Sequence, residues 1–350
     1  IRQALQLQKT LTPDGSSELG DLVNHHGAML FALGRFDEAV VLFNEALALH
    51  KKFSPDDASK ISWDLSNLGG ALMTLRKLDE AEPLIRESLR LREGITNADA
   101  RERVSVATDL NKLAGIMYLR RNFAEGAQRA SQAVKIFEEN FAKAPDPNYP
   151  NCLNTYANCE LELGNKERAG QLFQQSLDVI EKLRGPEHPE TANAILGNAQ
   201  FERIHGDAQR AESLYRRALE IRRKASPPNS PTLGQALSGL GATLVKQGRA
   251  AEAEPYLKEV YELRTRTEPD APTTAITLGH YAECLMALGR DAEAEQMLRR
   301  AHEINIKTRG SAEAEKMHAA LELIEYYDRT NQPEKSAALQ TASASAPAPK

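Results

Sequence analysis

One local frame recurs seven times along the chain, as GRFDEAVVLF, RKLDEAEPLI, RNFAEGAQRA, GNKERAGQLF, GDAQRAESLY, GRAAEAEPYL and GRDAEAEQML. Each begins polar or acidic, places a small residue, and continues into an apolar run. The small residue falls at Ala39, Ala81, Gly126, Ala169, Ala211, Ala253 and Ala294, at steps of 42, 45, 43, 42, 42 and 41 residues. A second small residue stands twelve positions upstream each time, at Gly27, Gly69, Ala114, Ala157, Ala199, Gly241 and Ala282. Self-similarity at such a period implies units that bury their apolar faces mainly against neighbouring units. A single closed core is thereby excluded.

Within each period the pattern is that of two amphipathic helices joined by a tight turn. VNHHGAMLFALGRFDEAVVLFNEALALHKK shows apolar residues at i, i+3, i+4 and i+7 on both sides of a glycine. Where the two helices cross closely, a side chain larger than methyl would hold them apart, which explains the two small positions. Gly34, Gly164, Gly206, Gly248 and Gly289 supply the turn. Asp37 and Asp79 sit where a cap or first-turn acid is favoured, and Pro83 and Pro255 are expected in the opening turn of the second helix. The prediction is an all-α, right-handed solenoid of about seven helical hairpins with a partial repeat at each end and no sheet.

The repeats are expected at approximately 19–60, 61–104, 105–148, 149–190, 191–232, 233–273 and 274–315, with a degenerate unit at 316–340, forming a solenoid over 1–335. Residues 1–10 read as the end of a second helix whose partner is missing, and a start at Ile1 without methionine reads as a piece of a longer protein. The Ala/Ser/Pro tail 341–350 has nothing to bury and is expected to be disordered. Prolines punctuate the connections between repeats, as in GPEHPETA at 185–192, where His188 is assigned to loop shape rather than to chemistry.

Composition narrows the function classes. With 44 basic against 49 acidic residues and a formal charge of −5 there is no excess of cations for a nucleic acid, and no apolar stretch approaches the roughly 20 residues that span a bilayer. Cys152, Cys159 and Cys284 form no paired framework, which favours a reducing compartment, the cytoplasm. No set of acids, bases or nucleophiles converges, so neither catalysis nor a cofactor is expected. His280 and Cys284 are four apart on one helix but lack further ligands nearby, so they are assigned to packing and no metal is expected.

These residues resemble the tetratricopeptide repeat, whose pattern also has an alanine-apolar pair late in the second helix, here Ala46-Leu47, Ala133-Val134 and Ala218-Leu219. The period near 42, the AEP at Ala81–Pro83 and Ala253–Pro255, and the GPEHPETA connection look like the kinesin-light-chain-like subclass. The resemblance covers nearly the whole chain. It implies an interaction scaffold that takes a peptide or partner segment in a groove lined by the first helix of each repeat. It leaves two alternatives: a regulatory segment of a larger signalling enzyme, such as a bacterial Ser/Thr kinase, or a self-association module working through exposed terminal repeats.

One inward position of successive first helices carries Asn24, Ser66, Asn111, Asn154, Leu196, Ser238 and Gly279, with Asn67, Lys112 and Asn158 nearby. Asparagine offers donors and an acceptor, so a row of it can read the amide groups of an extended peptide. This resembles the asparagines of kinesin-light-chain grooves. Trp63, the only tryptophan, lies one turn before Ser66 and is expected to face the groove. The candidate groove is therefore Asn24, Trp63, Ser66, Asn67, Asn111, Lys112, Asn154 and Asn158, with a protein or peptide partner and neither nucleic acid nor membrane.

Overall fold

The computed structural model describes residues 15–227, 230–309, 321 and 323–344. Among them there is no strand, and the helices come in consecutive hairpins. The chain divides into two compact units, residues 1–183 and 184–350. The first holds α1 (Ser17–Ala32) with α2 (Phe36–Phe53), α3 (Ala58–Thr74) with α4 (Leu78–Glu93), α5 (Ala100–Leu119) with α6 (Phe123–Asn140), and α7 (Asn148–Glu162) with α8 (Lys166–Arg184). The second holds α9 (Pro189–His205) with α10 (Ala208–Ala225), α11 (Gly234–Lys246) with α12 (Ala250–Thr267), α13 (Pro272–Ala287) with α14 (Asp291–Arg309), and finally α15 (Pro333–Ala344).

The helices start where side chains can satisfy their free N–H groups. Ser16, Asp57, Asp99 and Asp207 accept from backbone N–H groups at the starts of α1, α3, α5 and α10. His188 does the same for α9, its Nδ1 accepting from the Glu190 N–H at 3.2 Å, so the histidine of GPEHPETA is a helix cap. Asp37 and Asp79 are first-turn acids of α2 and α4. Pro83 and Pro255 lie deeper than expected, sixth in their helices rather than in the opening turn. Both rings are exposed, so water can meet the carbonyl that each missing N–H leaves free.

The two small positions are the crossing points of the hairpins. All fourteen residues are buried, and a Cβ on Gly27 would stand 2.8 Å from Phe43, on Gly69 2.5 Å from Ile85, and on Gly241 2.4 Å from Leu257. The core follows from these approaches: Phe43, Ile85 and Leu257 each lie across the small residue of the partner helix and are buried there.

The hairpin turn needs a left-handed residue, and Gly34, Gly164, Gly248 and Gly289 provide it with φ between 74 and 86°. Repeats two and three place Arg76 and Arg121 there instead, at φ 62 and 61°. Gly206 differs from the expectation. It has φ −123° and lies against the Glu202 side chain, which accepts from the Asp207 N–H at 3.0 Å.

The ends are only partly described. The stretch expected to be an orphan helix at 1–10 lies outside the described residues, as do 310–315 of the seventh repeat and 316–320 and 322 of the degenerate unit. Residues 323–329 of that unit are helical, and the Tyr326 hydroxyl donates to the Asp291 carbonyl at 2.9 Å. The following helix α15 runs to Ala344, four residues into the tail expected to be disordered; 345–350 lie outside the described residues. Among the described residues no helix is long and apolar enough to cross a membrane.

Candidate functional site

In the first unit, α1, α3, α5 and the segment entering α7 enclose a concavity of about 370 Å³. Trp63, Ser66, Asn67 and Lys112 line it together, beside Phe31, Gly70, Ser105, Thr108, Asp146 and Asn148. Half of the residues expected at the groove therefore share one space. Trp63 is 39% exposed and stands edge-to-face with the His25 ring, the ring centres 5.2 Å apart.

The other four lie elsewhere. Asn24 is fully buried, contrary to the expectation that it faces a peptide, because both ends of its amide are taken by protein: Nδ2 donates to Asp64 at 2.5 Å and Oδ1 accepts from Asn67 at 3.0 Å. Asn111 is half-buried outside the lining, with its Oδ1 buried and unbonded among the described residues. Asn154 and Asn158 are half-buried on α7 and also outside the lining.

Beneath the concavity lies a polar structure that the row of asparagines did not reveal. Asp64 and Asp109 occupy the same place in successive repeats, and both are fully buried. Each accepts from the preceding hairpin. Asp64 takes Asn24 and, at 2.5 Å, His50 Nδ1 near the end of α2. Asp109 takes the Ser66 hydroxyl, Ser88 at 2.6 Å and Arg92 Nε at 3.0 Å near the end of α4. Arg92 also pairs with Glu102 at 3.0 Å. The groove residues are the outermost members: Asn67 donates to Asn24, and Lys112 Nζ donates to the Ser66 carbonyl at 2.8 Å and to its hydroxyl at 2.5 Å.

At each of these two junctions, then, a buried basic side chain on a second helix holds a buried carboxylate on the next first helix. The carboxylate holds Asn24 or Ser66, and that residue holds Asn67 or Lys112 at the groove. Burying such pairs seldom stabilises more than apolar packing would, and their better-attested use is to fix register. At the third junction the corresponding residues are Phe137 and Cys152, both buried, and the relay stops. That is why Asn111, the counterpart of Ser66, has no carboxylate to bond. A readable signal existed in DLSNL at 64–68 and DLNKL at 109–113, where an aspartate interrupts the apolar stripe of a helix twice at the same place.

Charge follows burial here. For His50, burial alone would lower the pKa, but the Asp64 hydrogen bond and the charges of Asp64 and Asp21 outweigh it and hold the value above the ordinary 6.5. For Lys112, burial pulls the pKa down, Asp109 opposes this and Arg92 adds to it.

The second unit retains parts of the scheme. Ser238 Oγ and His280 Nδ1 are 3.0 Å apart, the counterpart of the Ser66–Lys112 pair, and Arg264 donates to Thr277 at 2.6 Å where the earlier junctions have a carboxylate. Burial and the positive charges of Arg203 and Arg264 push the His280 pKa down to about 4. Cys284, one turn on, instead reaches the Ala250 carbonyl at 3.3 Å, so the two side chains have separate partners. Among the described residues no group of three or more His, Cys, Asp or Glu could hold a metal.

Hairpins closed through small residues, with successive hairpins packed on one another within each unit, define an α-helical solenoid repeat protein. The chain belongs to the tetratricopeptide repeat family: the family profile matches residues 20–94, 149–224 and 232–307, more than half of its length. Among solved structures it is similar to BtubC (BKLC) from P. vanneervenii, with 21% identity, a TM-score of 0.57, and coverage of 67% of this chain and 92% of that one. It is also similar to a signal transduction ATPase with numerous domains and a tetratricopeptide repeat sensor from Pyrococcus horikoshii, with 17% identity, a TM-score of 0.60, and coverage of 82% of this chain and 42% of that one. The apo quorum sensor NprR from B. thuringiensis shares 12% identity at a TM-score of 0.60, over 92% of this chain and 97% of that one. At such identities these likenesses concern the fold. No curated protein matches the chain.

Proposed function

We propose that the chain is a non-catalytic interaction scaffold and that the concavity of its first three repeats takes an extended segment of a partner polypeptide. The observation that carries this reading is the set Trp63, Asn67 and Lys112 lining one space, with the last two held from beneath. A half-exposed tryptophan offers a broad apolar contact, and amide and ammonium groups fixed in advance can bond peptide carbonyls without losing side-chain freedom. Asn111, Asn154 and Asn158 would extend the contact along α5 and α7. The three cysteines are free and buried, in keeping with the reducing cytoplasm.

The test is selection of peptides from a random displayed library on the intact chain. Asn67→Ala with Lys112→Ala should weaken the selected peptides by about 1–3 kcal/mol through lost polar contacts, with an unchanged helical spectrum. Peptides that bind this double variant undiminished, but are lost on charge reversal of Arg216 and Arg223 on α10, would move the working surface to the second helices.

A second reading has one observation in its favour. The Pyrococcus horikoshii neighbour is a multidomain protein in which a tetratricopeptide sensor is one part, and this chain covers 42% of it. A regulatory segment of a larger signalling protein would use the same groove.

A further inference from the structure

The two relays differ in one chemical respect. Arg92 keeps its charge at every ordinary pH, whereas the residue in its place one repeat earlier is a histidine. His50 is fully buried, and both ring nitrogens face oxygen atoms that can only accept. Nδ1 lies 2.5 Å from Asp64 Oδ2 on α3. Nε2 lies 3.1 Å from the Ser17 carbonyl and 3.3 Å from Asp21 Oδ1, both on α1. Lys60 of α3 pairs with Asp21 at 2.7 Å and completes the charged groups described around the ring. A neutral imidazole has one N–H, so in this cage it must turn a lone pair toward an oxygen. The geometry therefore calls for the doubly protonated ring.

We propose that His50 is a pH-linked control on the groove: as an imidazolium it fixes Asp64, and through Asp64 and Asn24 the groove residue Asn67, so that deprotonation frees Asn67 while Arg92 continues to hold Lys112. Without the cation, Asp64 is a buried carboxylate held by Asn24 alone, and such a charge draws water or moves. Either outcome breaks the Asn24–Asn67 bond, because Asn24 is oriented by Asp64. The groove then loses one of its two prepared polar contacts as the His50 proton leaves, which weakens peptide binding at its first-repeat end, while Asp109 keeps its cation Arg92 beneath the Lys112 end. The proposal deepens the groove reading and rests on it for its meaning, but the relay can be tested with no partner present.

The experiment follows the histidine ring nitrogens and the asparagine side-chain amides of the intact chain by NMR from pH 5.5 to 9.5, with assignment by single substitution. His25→Gln serves as a second background beside the parent, because the His25 ring lies against Trp63, which lines the groove with Asn67. The His50 midpoint should lie above 6.5, both ring nitrogens should carry protons below it, and the Asn67 amide signals should move with the same midpoint. In Asp64→Asn the midpoint should fall below that of the parent and the coupling to Asn67 should vanish. A His50 midpoint at or below 6.5, or an Asn67 amide indifferent to the His50 titration, overturns the proposal. Both results come from the parent protein, so they stand whether or not the variant folds. A peptide that binds independently of Asn67 would instead sink the groove reading and leave these outcomes untouched.

Discussion

Arg76 and Arg121 adopt a backbone conformation that the equivalent repeats assign to glycine. The left-handed region costs an L-residue with a Cβ roughly 1–2 kcal/mol, partly offset by the greater freedom glycine gives the unfolded chain. Arg76→Gly should therefore stabilise by about 0.5–1 kcal/mol, read as a higher denaturation midpoint, and a lower midpoint would show that the arginine side chain contributes more than its backbone costs. The reverse applies at the crossings. Ala169 is fully buried, and Ala169→Phe should destabilise by about 1–3 kcal/mol through overpacking; an unchanged melting curve would put this alanine outside the helix crossing. These positions were legible because steric demand repeats with the chain. Asn24 and Asn67 were harder to separate. Spacing puts both near the inward side of a first helix, and what divides them is a partner some forty residues away: Asp64 draws Asn24 into the interior, while Asn67 lines the open space.

Helical hairpins, their order and the crossing residues could all be read in advance, since each depends on contacts within one period. The junctions between hairpins could not, because an aspartate in an apolar stripe looks like solvated surface until the opposing helix supplies a cation. Their energetics can be tested at α4 and α5. Asp109→Ala leaves Arg92, 5% exposed, with Glu102 as its one acidic partner among the described residues and should cost about 3–5 kcal/mol. The double variant Arg92→Leu with Asp109→Ala follows the apolar composition of the third junction and should recover much of that loss. If the double variant were as unstable as the single one, the pair would be worth more than packing. The earlier junction adds a pH dependence whose sign is fixed. A folded-state pKa above the unfolded value means that His50 contributes fully below about 6.5 and loses that contribution as pH rises through its folded pKa. Denaturation midpoints should fall over that range in the parent and less so in Asp64→Asn.

The two compact units, residues 1–183 and 184–350, each consist of elements that pack on their neighbours in sequence. A segment of residues 15–183 should thus keep a cooperative thermal transition and a helical spectrum on its own, since stability in such proteins is close to a sum over repeats and their adjoining faces. A non-cooperative melt would show that the division is only geometric. The buried pairs have a further effect on how such a chain can change. Where an interface is all hydrocarbon, a duplicated or deleted hairpin meets a surface much like the one it left, and the chain can lengthen or shorten at little cost. Between α2 and α3, and again between α4 and α5, a newcomer would have to bring the matching half of an ion pair. The first three repeats are addressed to one another, and recombination that ignored the addresses would strand a charge in the interior.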